Sequence, residues 1–226
     1  MRILIACETS GVMRRAFAAR GHDVWSCDLL AAEDGSNRHI RGDVRHILDD
    51  GWDLMAVMHP PCTRLCRSGR HWMSGPGKWT EPKKLPNGRT WESMREEFEE
   101  GVSLFTACWQ APIERVAIEN PVMNDLARDR MPADLPAPQS VQPFWFGEPA
   151  YKATGFYLRG LPKLVATNVL LEPERGSDEW KAWSAIHRAP PGPDRWKIRS
   201  RTFEGVADAS ADQWGGYAVS EKERVA

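Results

Sequence analysis

The sequence predicts an α/β fold with a mostly parallel central sheet and helices on both of its faces. Two observations carry this. Over the first 60 residues, apolar runs of strand length alternate with a helical segment and polar turns. The chain is also long enough, at 226 residues, for one core of good size.

The elements follow in order. MRILIAC reads as a buried strand, ETSG as a tight turn, and VMRRAFAARG as a helix that Gly21 ends. HDVWSCDLL is a second strand ending on Asp28, and IRGDVRHIL holds a short extended piece with Asp43 at its end. WDLMAVM is the next strand, closed by MHPPC. Residues 67–91 read as one long loop rich in Gly, Pro and basic side chains. From Trp91 to Trp109, the residues Met94, Phe98, Val102, Phe105 and Trp109 recur at helical spacing, so this stripe faces a core. RVAIEN is a buried strand ending at Glu119 and Asn120, where Pro121 stops it. KATGFYLRG is a later strand, residues 172–201 are polar and irregular, and EGVADASADQWGGYAV is a final short helix and turn.

Composition excludes some classes. Net charge is −1, so no overall basic field marks a polyanion partner, although local patches can. No apolar run approaches the roughly 18 residues of a membrane span, and the N-terminus has no signal-peptide pattern. Five cysteines give no paired framework and suit a reducing cytoplasm. A cytoplasmic monomer without a membrane anchor is expected.

In open α/β sheets, ligands bind beyond the carboxyl ends of the strands. Glu8, Asp28, Asp43, Cys62 and Glu119 all fall at such ends. An acid after the second strand can accept hydrogen bonds from both hydroxyls of a ribose. ETSG is not a dinucleotide fingerprint, but its backbone N–H groups can approach a ligand's polar tail. Cys62 follows two prolines that stiffen the turn and fix where the sulfur points. A thiolate there is a nucleophile. A carboxylic acid at 119 can hydrogen-bond a ring nitrogen and make a heteroaromatic ring electrophilic. His59, Cys62, Cys66 and His71 are metal ligands by type, but a lone C-x3-C is a poor zinc pattern, and no metal is expected.

The order of these segments resembles the cytosine-C5 DNA methyltransferase family, in the short form found among phage and prophage genes. IACETSGVMRRAFAARG resembles the first cofactor motif, WSCDL the acidic one, and GDV the adenine-contacting one. HPPCTRLCRSG resembles the Pro-Cys nucleophile loop and IENP the Glu-Asn motif. FGEPAYKATGFYLRG and ADQWGGYAV resemble the Arg-x-Arg strand and the terminal motif. The resemblance implies a Rossmann-like, S-adenosylmethionine-dependent methyltransferase fold. It also implies catalytic roles for Cys62, Glu119, Asn120 and Lys152. Cofactor contacts would fall on Glu8, Ser10, Gly11, Val12, Asp28, Leu29, Asp43, Val44, Pro60 and Pro61. Glu8 would face the methionine end of S-adenosylmethionine and pair with its ammonium.

Residues 1–165 and 200–226 would form the catalytic domain, with 166–200 a minimal recognition insert where the family carries a larger domain. The partner implied is DNA, held by Arg64, Arg67, Arg70, Lys78, Lys83, Lys84 and Arg89 in the long loop, and by Arg195, Lys197 and Arg199 in the insert. The family's two strand arginines fall on Lys152 and Thr154, and Gly216 stands where the family has Asn. Two other readings stay open at this level: a cytosine-modifying enzyme with a different one-carbon donor, suggested by Glu8 in the cofactor loop, and a non-catalytic DNA-binding relative.

Overall fold

A computed structural model describes residues 1–73, 85, 88–190, 192 and 195–225, the side chains of 71–72, 196–198 and 221–225 excepted. Its centre is a seven-stranded sheet in the order β3-β2-β1-β4-β5-β7-β6. The strands are β1 Arg2–Ala6, β2 Asp23–Asp28, β3 His39–Arg41, β4 Leu54–Val57, β5 Arg115–Glu119, β6 Gln139–Val141 and β7 Thr154–Arg159. β1 to β5 run parallel, and β7 lies antiparallel between β5 and β6. This is the α/β, Rossmann-like class that the sequence predicts.

The register aligns the strand ends. Ala6 pairs with Cys27 and Val57, and Val57 pairs with Ile118. Cys7 to Glu8, Asp28, the MHPPC turn and Glu119 therefore leave the sheet at one edge. Strand order reverses between β1 and β4, which places a crevice at that edge. Because β7 is antiparallel, its start, not its end, reaches the same edge. Glu119 pairs with Phe156 there, and Lys152 lies just before the strand.

Alternate strand residues feed two cores. Leu4, Ala6, Met55, Val57, Val116 and Ile118 face helix α2, Trp91–Gln110, meeting Phe98, Val102, Phe105 and Trp109. Ile3, Ile5, Leu54, Ala56 and Ala117 face the other way, toward Met13 and Phe17 of α1, Val12–Ala18, and Val206, Ala207 and Trp214 of α7, Glu204–Val225. Each of the fully buried large side chains contributes about 1.5–3 kcal/mol. Thr90 and Ser93 close α2 at its start by a reciprocal pair of bonds, each backbone N–H donating to the other's hydroxyl at 3.0 Å.

Three expectations need correction. The C-terminal segment is a helix of 22 residues rather than a short one, because its small residues let it lie along α1. Residues 172–201 contain α4 Asp178–Trp183, α5 Ala185–Arg188 and α6 Arg195–Ser200. Ser177 caps the first of these, and Trp183 buries itself against Phe144 and Tyr151, ring centroids 5.9 and 5.4 Å away. Within the long basic segment, Arg67–Met73 form 3-10 turns rather than open loop. The short helix α3, Asp125–Arg128, and the edge strand β6 carry too few residues for a periodic signal. Among the described residues, no helix is long and apolar enough to cross a membrane.

Candidate active site

The loop that carries Cys62 is held from three sides. Its prolines donate no hydrogen bonds, so the turn is closed by the Cys62 carbonyl, which accepts from the N–H groups of Leu65 and Cys66 at 3.0 Å each. The loop is then stitched to the segment after β5. The Asn124 N–H donates to Leu65 at 2.8 Å, Arg67 N–H donates to Val122 at 3.2 Å, and the Asn124 amide donates to the Arg64 and Cys66 carbonyls at 2.8 and 3.2 Å. From below, α2 presents Gly101. A methyl group at that position would lie 3.0 Å from the Pro61 carbonyl oxygen and 3.3 Å from Leu65 Cγ, so only glycine lets the loop sit this close. These contacts tie the segment of Cys62 to that of Glu119, more than 50 residues on, through two main-chain bonds and the Asn124 side-chain amide.

At the end of β5, Asn120 N–H donates to Gly155 of β7 at 2.9 Å, and a methyl group on Gly155 would meet the Asn120 carbonyl oxygen at 2.6 Å. The antiparallel neighbour is thereby drawn tight against the Glu119–Asn120 corner. Glu119 is 7% exposed, and its carboxyl has no hydrogen-bond partner among the described residues. Asn120 is wholly buried, and its Oδ1 is likewise unpartnered there. An unmet buried polar atom is uncommon and costly, and Asn120 Oδ1 beside the unpartnered Glu119 carboxyl could meet a ligand's donors.

The electrostatics follow from that burial. Loss of water raises the Glu119 carboxyl to about 7, although the Lys152 ammonium nearby pulls the other way. Burial, and then the charge of Glu119, push the Cys62 thiol to about 12. Burial lowers Lys152, opposed by Glu119 and Cys62. The three groups thus act on one another across a small space. Lys152 Nζ donates to the Arg201 carbonyl at 2.9 Å rather than forming an ion pair with Glu119. Met58, His59, Glu119, Lys152, Thr202 and Phe203 are among the residues lining a cavity of about 10 Å³, the room of one water molecule. In this conformation it does not admit a pyrimidine.

The residues expected to contact a cofactor divide into two groups. Asp28 accepts from the Leu30 N–H at 2.9 Å with Oδ1, and its Oδ2 has no partner among the described residues. Leu29 beside it is 69% exposed, an apolar face next to a free carboxylate oxygen. These suit a ribose and a base. Pro60 is buried and Pro61 exposed at the crevice lip, and Gly11 leads left-handed into α1 at φ 70°. The other acids are taken. Glu8 is wholly buried and accepts from Met13 N–H at 2.8 Å, Arg14 N–H at 3.4 Å and Ser10 Oγ at 3.2 Å, so it caps α1 from within. The anion that a ligand would bring to that helix end is supplied by the chain, which corrects the expectation that Glu8 pairs with a cofactor ammonium. Asp43 is held by the Arg45 guanidinium and N–H, which keep it below the usual carboxylate range. It caps a single 3-10 turn whose Val44 is core. Val12, the first residue of α1, is also core.

The arginines divide as well. Arg64 is corrected from a phosphate contact to an internal strut: it is 5% exposed and pairs with Glu97 of α2 at 2.8 Å. Arg89 pairs with the same carboxylate. Arg70 pairs with Asp125 at 2.6 Å, whereas Arg67 and Arg199 are exposed. Arg195 is half-buried, its Nε donating to the Ala189 carbonyl at 2.8 Å. Lys78, Lys83 and Lys84 lie outside the described residues, as does the Lys197 side chain. Among the described residues there is no cluster of His, Cys, Asp and Glu that could hold a metal ion.

Sequence reasoning missed His59, Thr202, Gly101, Gly155 and Asn124 as parts of this site. A histidine beside Pro-Pro-Cys was a visible signal. The glycines and Thr202 gave none, because their partners lie far along the chain.

No family model matches the chain, and no curated protein matches it. Among solved structures, it is similar to a candidate DNA modification methyltransferase encoded within an E. coli prophage, with a TM-score of 0.46 and 14% identity, over 75% of this chain and 52% of that one. The chain thus spans about half the length of that structure, and at this level of likeness no residue's role passes from one to the other.

Proposed function

We propose that this chain is a DNA cytosine-C5 methyltransferase acting through a covalent cysteine adduct. The observation that supports this most is the buried, unpartnered carboxyl of Glu119, raised to about 7, sharing its surroundings with Cys62 and Lys152. A carboxyl that keeps its proton near neutral pH can donate to a ring nitrogen, which an ordinary glutamate cannot.

The cytosine leaves the duplex stack, since a thiol cannot reach C6 within it. The Cys62 thiol gives its proton to water, and the sulfur bonds to C6. The electron pair of the C5–C6 double bond moves into the ring, where Glu119 donates its proton toward N3 and steadies the charge. Lys152 would offer its ammonium to the ring oxygen or the phosphate. C5 is then nucleophilic. S-adenosylmethionine, when bound, supplies an electrophilic methyl group; Asp28, Leu29, the Gly11 turn and the Pro60 backbone would hold it. Water takes the C5 proton, the C5–C6 double bond re-forms, and the bond from sulfur to C6 breaks. The capping role of Glu8 removes the reason for invoking a different donor.

The test is transfer of labelled methyl from S-adenosylmethionine to cytosine-containing DNA, with Cys62→Ser alongside. The wild type transfers label and Cys62→Ser does not. DNA carrying 5-fluorocytosine traps a covalent complex with the wild type, because fluorine does not leave as a proton does. A wild type that neither transfers label nor forms the complex overturns the proposal.

A further inference from the structure

We infer, resting on the function proposed above, that Thr202 and His59 are positioning residues: their hydrogen bond latches the strap Arg201–Phe203 across the base cavity, and a pyrimidine reaches Glu119 only when the strap lifts. The strap joins α6 to α7, and two bonds from residues far away in sequence hold it. Thr202 Oγ1 meets His59 Nε2 at 3.0 Å, and the Arg201 carbonyl accepts from Lys152 Nζ at 2.9 Å. Thr202 is 5% exposed, so bulk water competes little for its hydroxyl. His59 and Lys152 line the same cavity as Glu119, together with Arg201, Thr202 and Phe203 of the strap. The latch therefore closes on the cavity of Glu119 and Lys152, and half-buried Cys62, whose thiol feels both of their charges, is the neighbouring group whose access reports on it.

Two features make the closure specific. Burial, with the Lys152 charge behind it, lowers His59 to about 3, so the imidazole is neutral and its bond to Thr202 does not switch with physiological pH. The strap also withholds Lys152 from Glu119 by occupying its ammonium with a backbone carbonyl. Lifting the strap would free that cation at the moment a base arrives. Exposed Arg199, whose charge acts on Lys152, sits on the helix from which the strap hangs, where a polyanion would first meet it.

The experiment measures alkylation of Cys62 by iodoacetamide at fixed pH without DNA or cofactor, read by peptide mass spectrometry, with buried Cys27 and Cys108 as internal controls. Thr202→Val keeps the shape and removes the hydroxyl. Cys62 then reacts roughly three- to tenfold faster, the factor one lost hydrogen bond is worth, while Cys27 and Cys108 do not change. Thr202→Ser restores the wild-type rate. An unchanged Cys62 rate in Thr202→Val, or an equal rise at all three cysteines, overturns the latch. Thr202→Ala is read in the same way should the valine variant not fold. Methyl transfer measured on the same preparations separates the two ideas. A selective rise at Cys62 with no transfer by the wild type upholds the latch and removes the methyltransferase reading.

Discussion

The two halves of the sheet's carboxyl edge are built on opposite principles. On the β1–β3 side, three acids are satisfied within the chain: Glu8 caps α1, Asp43 holds Arg45, and Asp34 pairs with Arg14 and Arg15, although Arg14 Nε is buried without a partner among the described residues. On the β4–β5 side, the backbone is satisfied and the side chains are not. The loops are laced together by main-chain bonds and the Asn124 amide, while Asn120 Oδ1 is buried without a partner and the Glu119 carboxyl has none among the described residues. A protein tolerates that cost where a ligand will meet it. On the function proposed, the chemistry falls at β4–β5, and the β1–β3 side has the lighter task of holding a cofactor, through Asp28 and the exposed leucine beside it.

The largest break in this comparison comes from its centre. Cys62→Ala should lower methyl transfer by about a thousandfold or more, and Cys66→Ala, four residues on, should leave it within a fewfold. Glu119→Gln should lower transfer by about 10²–10⁴ and at the same time stabilise the fold at alkaline pH. The sign follows from the direction of the shift. Glu119 moves from an ordinary 4.5 up to about 7 in the folded chain. The folded state thus binds the proton more tightly, and its stability is full below pH 4.5 and falls as pH rises through 7. Glutamine, which never ionises, avoids up to about 3 kcal/mol of that loss. Urea unfolding of both proteins at about pH 5 and 8 checks it. Equal differences at the two pH values would mean that Glu119 is not held neutral.

Much of this was legible in the sequence because it is local. The strand runs, the α2 stripe and the acids or thiol at strand ends are read from neighbours a few residues apart. Periodicity cannot show which acids are free. Glu8 and Asp28 look alike in the sequence, yet one is swallowed by a helix end and the other keeps an open oxygen. Arg64 reads as a surface cation until Glu97, on a helix 33 residues later, is found beneath it. Thr202 lies 143 residues from the histidine it bonds. Such facts belong to tertiary packing, and a single chain of letters holds no trace of them.

Gly101 sharpens the comparison by separating position from stability. Alanine there gains about 1 kcal/mol of helix propensity, and its methyl group presses on the Pro61 carbonyl from 3.0 Å. The nucleophile loop must give by a few tenths of an ångström. Thermal stability should change little, while transfer falls about tenfold because the sulfur is displaced from its line of approach. A stable variant with undiminished activity would show that the loop's seat on α2 does not set the reacting geometry.

The smallest effects lie on the β1–β3 side, and there the two acids should part. Asp28→Ala removes a carboxylate whose Oδ2 has no partner among the described residues. Binding of S-adenosylmethionine, followed by calorimetry, should weaken about tenfold, the worth of one charge-assisted bond, with the fold hardly disturbed. Asp43→Ala removes a carboxylate already committed to Arg45 and to the start of a 3-10 turn. It should cost about 1 kcal/mol of stability and leave cofactor affinity within a fewfold. If Asp43→Ala instead weakens binding as much as Asp28→Ala does, the partition between self-satisfied and waiting groups does not hold on this side of the sheet. Arg45 would then have to release its partner whenever the cofactor binds.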